Sequence, residues 1–262
     1  MTDGARRTYV IHAPPYTELS AGAKALWMLR DALRARGEKA EVVEFGAVWA
    51  EGLEDGEIAV YPDIIDGNPL GAYRVARWLL YFAGAYRGNR VFPKQDQVWG
   101  YTTRIARDYG TGRVMFLPTV DETVFVPPPE GTARKGACFY AHKHRTFYGG
   151  SPRDVLGAVE ITNPGQSREE IIRLLQTSEV FYAWEDTALI IEAVLCGCPV
   201  VCMPSDYFRE ACGLEDFSAG IAWGMEEFGR AIATVGEARR RYALLKDTFE
   251  KQLDRFIEET QA

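Results

Sequence analysis

Residues 179–203 read EVFYAWEDTALIIEAVLCGCPVVCM, and no other stretch of the chain restricts the fold as tightly. An apolar run at 179–183 suits a buried strand. Asp186 or Thr187 then stands where a side-chain oxygen can cap a helix. Ala188, Ile191, Glu192 and Leu195 share one face of that helix, and Gly197 stops it just before Pro199. A second apolar run at 199–203 returns as a strand. Strand, loop, helix, glycine, strand is one turn of a parallel α/β sheet. Glu192 is the anomaly, a carboxylate on an otherwise apolar face, costly to bury unless something hydrogen-bonds to it.

The same grammar opens the chain. Residues 9–13 form an apolar strand, 14–22 a loop, 23–36 an amphipathic helix ended by Gly37, and 40–45 the next strand. A GxGxxG fingerprint is absent, so a dinucleotide site is not supported. Residues 57–62 give a third strand, with Asp63, Asp66 and Asn68 beyond its end, where open α/β sheets place their ligand crevice. Asp63 and Asp66 lack the spacing of a metal-binding DxD. Asn68 before Pro69 is either a crevice residue or an ordinary turn. Residues 72–82 read as a helix with Arg74 and Arg77 flanking its stripe, and 97–101 and 113–117 as the last strands of this half. The proline-rich run 118–129 cannot form regular helix and reads as a stiff connection.

Beyond it, 137–141 restarts a sheet, and His142-Lys143-His144-Arg145 follows as the densest basic cluster in the chain. It is either an anion-binding group or a solvated loop. His142 and His144 have no evident third partner for a metal. Residues 159–161 form a short strand. Ser167 and Glu170 have capping-box spacing at the start of a helix over 167–176, which makes those acids helix-start residues. Residues 237–259 form a long charged helix with Tyr242, Leu245, Phe249, Leu253 and Phe256 at helical spacing. There are no internal repeats.

The 179–203 stretch resembles the donor-binding signature of GT-B glycosyltransferases, especially the retaining family-4 type, where an acidic residue and a small-residue loop precede a helix ending EA…GCPVV. The resemblance implies that Glu192 binds the ribose hydroxyls of a nucleotide sugar and that Thr187 and Ala188 meet its diphosphate. Free N–H groups and the helix dipole suit that second role. Glu185 matches the family's first glutamate less closely, because six residues separate it from Glu192 where the family has seven. Lys143 and Arg145 match cations that neutralise the diphosphate. Ser20 to Gly22 is similar to the family's N-terminal glycine loop, with the simple βα turn as the alternative. Residues 61–80 are similar to a "YPE…GNPL…VVRW.L" stretch of bacterial glycosyltransferase-like proteins, which adds Asn68 as a cleft candidate. "PSDYFRE" adds Glu210. The 118–129 run is similar to the family's interdomain link.

Composition narrows the partners. A net charge of -7 argues against a general grip on nucleic acid. No stretch reaches the length of a membrane-spanning helix, and the N-terminus lacks a signal-peptide pattern, so a cytoplasmic location is expected. A peripheral membrane association stays open. Of five cysteines, four sit within or beside apolar segments, and Cys196, Cys198 and Cys202 read as buried thiols, since their side chains diverge and lack zinc-site spacing.

The expected architecture is α/β, two Rossmann-like domains facing a cleft in the GT-B manner. Residues 1–128 would be the acceptor-side domain and 129–262 the nucleotide-sugar-binding domain, with the last helix returning to the first. The resemblance implies transfer of a hexose or deoxyhexose from a nucleotide sugar to a glycan or other acceptor, with retention, in polysaccharide assembly. No cofactor or metal is expected. No catalytic residue is assigned, because His12 lies too early to match the family's N-domain histidine. The alternatives are a non-catalytic module of the same shape that binds a sugar nucleotide or a partner, and a nucleotide-sugar epimerase.

Overall fold

The computed structural model describes residues 6–18, 20–47, 52–148, 152, 157–162, 165–206, 208–209 and 213–262. The chain forms two compact units, one of residues 1–119 with 245–262, the other of residues 120–244. Each holds a five-stranded, wholly parallel, Rossmann-like sheet.

In the first unit the strands are β1 (Thr8–Ala13), β2 (Ala40–Glu44), β3 (Glu57–Pro62), β4 (Arg74–Leu79) and β5 (Gln97–Gly100), in the order β2-β1-β3-β4-β5. Alternation along the strands sorts two cores. Tyr9, Ile11, Ile58, Val60, Ala76 and Trp78 point to the face covered by α1 (Ala21–Ala35) and by Phe249, Leu253 and Phe256. Val10, Ala59, Tyr61 and Val75 point to the other face, which Leu53, Leu70 and Ala72 cover. Because both faces are closed, β3 is buried from Ile58 to Pro62 instead of alternating with solvent. Helix α2 (Thr103–Tyr109) is capped by the Thr102 hydroxyl and stopped by Gly110 in the left-handed region.

The second unit contains β6 (Ala137–Tyr140), α3 (His142–Tyr148), β7 (Val159–Glu160), α4 (Arg168–Thr177), β8 (Val180–Ala183), α5 (Leu189–Leu195), β9 (Val200–Cys202), β10 (Ile221–Trp223) and α6 (Phe228–Thr234). Its strand order is β10-β9-β8-β6-β7. Numbered within its own unit, each sheet therefore runs 2-1-3-4-5. The last helix, α7 (Ala238–Gln261), begins in the second unit and ends in the first.

Two expectations need correction. Residues 74–79 are the strand β4, not part of a helix over 72–82. Arg77, which looked like the polar flank of a helix, is fully buried between the rings of Tyr61 and Phe92, 4.7 and 4.8 Å away, and pairs with Asp96 at 2.9 Å. An arginine so neutralised can sit inside a sheet layer. Residues 113–117 form no full strand, only a parallel bridge from Val114 to Gly100.

Candidate functional site

In a 2-1-3-4-5 sheet the connections leave the first and third strands on opposite faces, opening a crevice at their carboxyl ends. In the second unit those strands are β6 and β8. The basic cluster His142-Lys143-His144-Arg145 forms the first turn of the helix α3, directly after β6. Past β8 come Trp184, Glu185, Asp186 and Thr187, and then α5.

Glu185 is 1% exposed and reaches across the crevice to accept hydrogen bonds from the backbone N–H groups of Lys143 and His144. It thus satisfies orphan donors in the first turn of α3. Burial raises its pKa, with the Lys143 charge and the two N–H donors opposing the rise. The Lys143 ammonium lies 4.0 Å from Glu185 and 3.3 Å from the carbonyl of Asp186, and it stays partly exposed. Arg145 pairs with Glu160. His144 packs its ring on Trp184 with centroids 5.2 Å apart, and burial lowers its pKa. An open hollow of about 570 Å³ is lined by His144 and by Pro204, Ser205 and Asp206, which follow β9.

The start of α5 departs from expectation. Neither Asp186 nor Thr187 is its N-cap. Ala188 is, with no side-chain bond, and the Thr187 hydroxyl accepts the Leu189 N–H at 3.4 Å. Glu192 lies one turn on and is 4% exposed. Both of its oxygens face Arg168, at 3.0 and 3.4 Å, and that guanidinium lies 4.4 Å over the Phe125 ring. Arg168 is the first residue of α4, whose N-cap Ser167 forms a full capping box with Glu170. Glu185, Lys143 and His144 are therefore brought together, while Glu192 has its own partner. Nothing in the spacing of the sequence ties Glu192 to a residue 24 positions earlier.

In the first unit the candidates sit differently. The Ser20 hydroxyl caps α1 by accepting from Ala23, and Gly22 lies close to Leu80, so that a Cβ there would be 3.6 Å from Leu80 Cδ1. The Asn68 carboxamide is engaged within its own turn, accepting from Tyr61 Oη and Ala72 N–H and donating to the Ala72 carbonyl. Glu210 lies outside the described residues. His12 is buried against Phe45 and Tyr61, its Nδ1 3.2 Å from the Val43 carbonyl, and burial lowers its pKa. Asp63, which spacing had set aside as a metal ligand, is 3% exposed at the end of β3. Burial pushes its pKa up to about 6, against hydrogen bonds from backbone N–H groups.

Cys138, Cys196, Cys198 and Cys202 are buried free thiols. Among the described residues no three His, Cys, Asp or Glu side chains gather as a metal would require. No helix among them is long and apolar enough to cross a membrane.

No protein-family model and no curated protein sequence matches the chain. Solved structures do. The glycosyltransferase of kitacinnamycin superposes with a TM-score of 0.49 at 12% identity, over 97% of this chain and 98% of that one. An alpha-glucosyltransferase in complex with UDP and a 13-mer DNA gives 0.44 at 10% identity, over 95% of each chain. CalG4, the calicheamicin glycosyltransferase, gives 0.42 at 12% identity, over 97% of each.

Proposed function

We propose that the chain is a glycosyltransferase that moves a hexose or deoxyhexose from a nucleotide sugar to a glycan or other acceptor, with retention of configuration. In this reading residues 129–262 bind the donor and residues 1–128 serve the acceptor. The observation that carries it is the carboxyl edge of the second sheet. There a cation and a basic helix start border the crevice beside an open hollow, all next to the strand–loop–helix stretch that resembles a donor signature. Lys143 and Arg145, with the backbone at Thr187 and Ala188, hold the diphosphate and stabilise the charge that builds on it as the sugar departs. Glu185 sets the position of Lys143 by fixing the start of α3. Glu192 accepts the ribose hydroxyls once Arg168 yields or shares it.

The Glu192–Arg168 pair also favours a second reading, a non-catalytic nucleotide-binding module in which Glu192 is purely structural. Calorimetry with UDP, GDP and dTDP in chelator tests the shared premise. One of them should bind without metal, and Lys143→Ala and Arg145→Ala should each weaken it roughly tenfold. Silence from all three nucleotides removes both readings. Glu192→Gln then separates them. In the transferase it folds normally and loses affinity roughly tenfold. A variant that melts earlier with unchanged affinity leaves Glu192 as Arg168's structural partner.

A further inference from the structure

The carboxyl edge of the first sheet carries groups that the donor reading does not use. Asp63 Oδ1 accepts from the backbone N–H groups of Leu80 at 3.0 Å and Tyr81 at 3.2 Å, the first two residues beyond β4. Its own N–H serves the carboxylate as well. A carboxylate has about four acceptor positions, so these three donors leave room for one more.

From Tyr81 the chain places three aromatic rings within six residues, none of them fully buried. Tyr81 and Tyr86 stack with centroids 4.8 Å apart and planes 23° apart, and Phe82 stands edge-on to Tyr81 at 5.1 Å. The loop returns onto the acid. Gly88, at φ +83, packs so tightly against the Asp63 carbonyl that a Cβ there would overlap it. The loop that carries the aromatic cluster is thus held to Asp63 at both ends, by its carboxylate at Leu80 and Tyr81 and by its main chain at Gly88. Arg87 and Arg90 are exposed on the same loop, and Arg104 lies over the Phe82 ring at 5.4 Å.

A pyranose ring has one face of C–H groups and a rim of hydroxyl donors. The first matches an aromatic surface, and the second a carboxylate with a vacant lone pair. We infer that this edge is the acceptor platform of the proposed transferase and that it takes a carbohydrate, with the Tyr81–Phe82–Tyr86 cluster against the sugar's C–H face and Asp63 accepting one of its hydroxyls. The inference rests on the transferase reading and names its acceptor class. A small anion is the competing occupant, through Arg87 and Arg90, but it would have to approach a carboxylate.

Saturation-transfer NMR on the full chain, with methyl glycosides of glucose, galactose, mannose and rhamnose, tests the platform while UDP, GDP and dTDP calorimetry runs on the same sample. At least one glycoside should receive saturation on its ring protons. Tyr86→Ala should abolish that signal, and Asp63→Asn, which keeps an oxygen for Leu80 and Tyr81, should weaken binding roughly tenfold. Neither change should alter nucleotide affinity. Nucleotide binding without any glycoside signal overturns the platform and spares the transferase. Glycoside binding that both variants retain places it elsewhere and also overturns the platform. So does saturable binding of inorganic phosphate that depends on Arg87 and displaces the glycoside. Loss of nucleotide and glycoside binding together sinks both.

Discussion

Asp63 and Glu185 hold the same station in two sheets of the same order. Each is a buried acid just past the third strand of its unit, and each is pushed up by burial and held down by backbone N–H donors. They brace in opposite directions. Asp63 turns toward the fourth strand and takes the N–H groups that follow β4, away from the point where the strand order reverses. Glu185 turns toward the first strand and spans that reversal to take the N–H groups that start α3. One acid therefore organises an aromatic loop, and the other organises a basic helix start. Topology sets where a crevice opens, and the direction of one side chain sets which chemistry borders it.

The largest effect should separate the two acids by pH. Asp63 has a pKa of about 6 in the fold against an ordinary 3.8, so the folded state binds its proton more tightly than the unfolded state does. Stability from this group is fully present below pH 4 and is lost as pH rises through 6, a swing of about 3 kcal/mol. Denaturant titrations should find Asp63→Asn more stable than the parent at pH 7.5 by up to that amount and equal to it at pH 4. Equal stability at both pH values would mean that Asp63 is better solvated than its geometry implies. Glu185 shifts in the same direction, so part of the slope should survive in that variant and fall further in Glu185→Gln.

A smaller effect tests the brace itself. Glu185→Ala leaves two N–H groups at the start of α3 without an acceptor and should cost about 2 kcal/mol, most of which Glu185→Gln restores. If alanine and glutamine variants melt together, the brace across the crevice contributes nothing to stability. The smallest effect compares helix starts. Ser167→Ala breaks a two-way capping box, whereas Ser20→Ala removes a single 3.3 Å bond from α1. Both should lie within about 0.5–2 kcal/mol, with Ser167 the larger. The reverse order, read from melting temperatures, would show that α1 depends on Ser20 for more than its cap.

What was legible in the sequence was what neighbours in the chain decide. The capping box, the apolar strands β1 and β3, the glycine stop at Gly197 and the stripe of α7 all follow from local spacing. β4 was not legible because Arg77 is neutralised by Asp96, 19 residues later, and by two rings that no periodicity announces. Glu192 was legible as an anomaly, but its partner Arg168 belongs to another helix. Asp63 was visible at a strand end. Its bonds to Leu80 and Tyr81 are hidden from a reading of 72–82 as helix, because a helix uses those N–H groups itself.

Helix α7 has a consequence for the order in which the protein can be made. Phe249, Leu253 and Phe256 belong to the core of the unit that is otherwise built from residues 1–119. On the ribosome that first segment emerges without the side chains that close one face of its sheet. At about 5–20 residues per second it waits on the order of ten seconds for them. Throughout that interval Tyr9, Ile11, Trp78 and Trp99 lack part of their final cover. The second unit is synthesised during the wait and has its own core ready sooner. The half of the chain translated first is thus the half completed last.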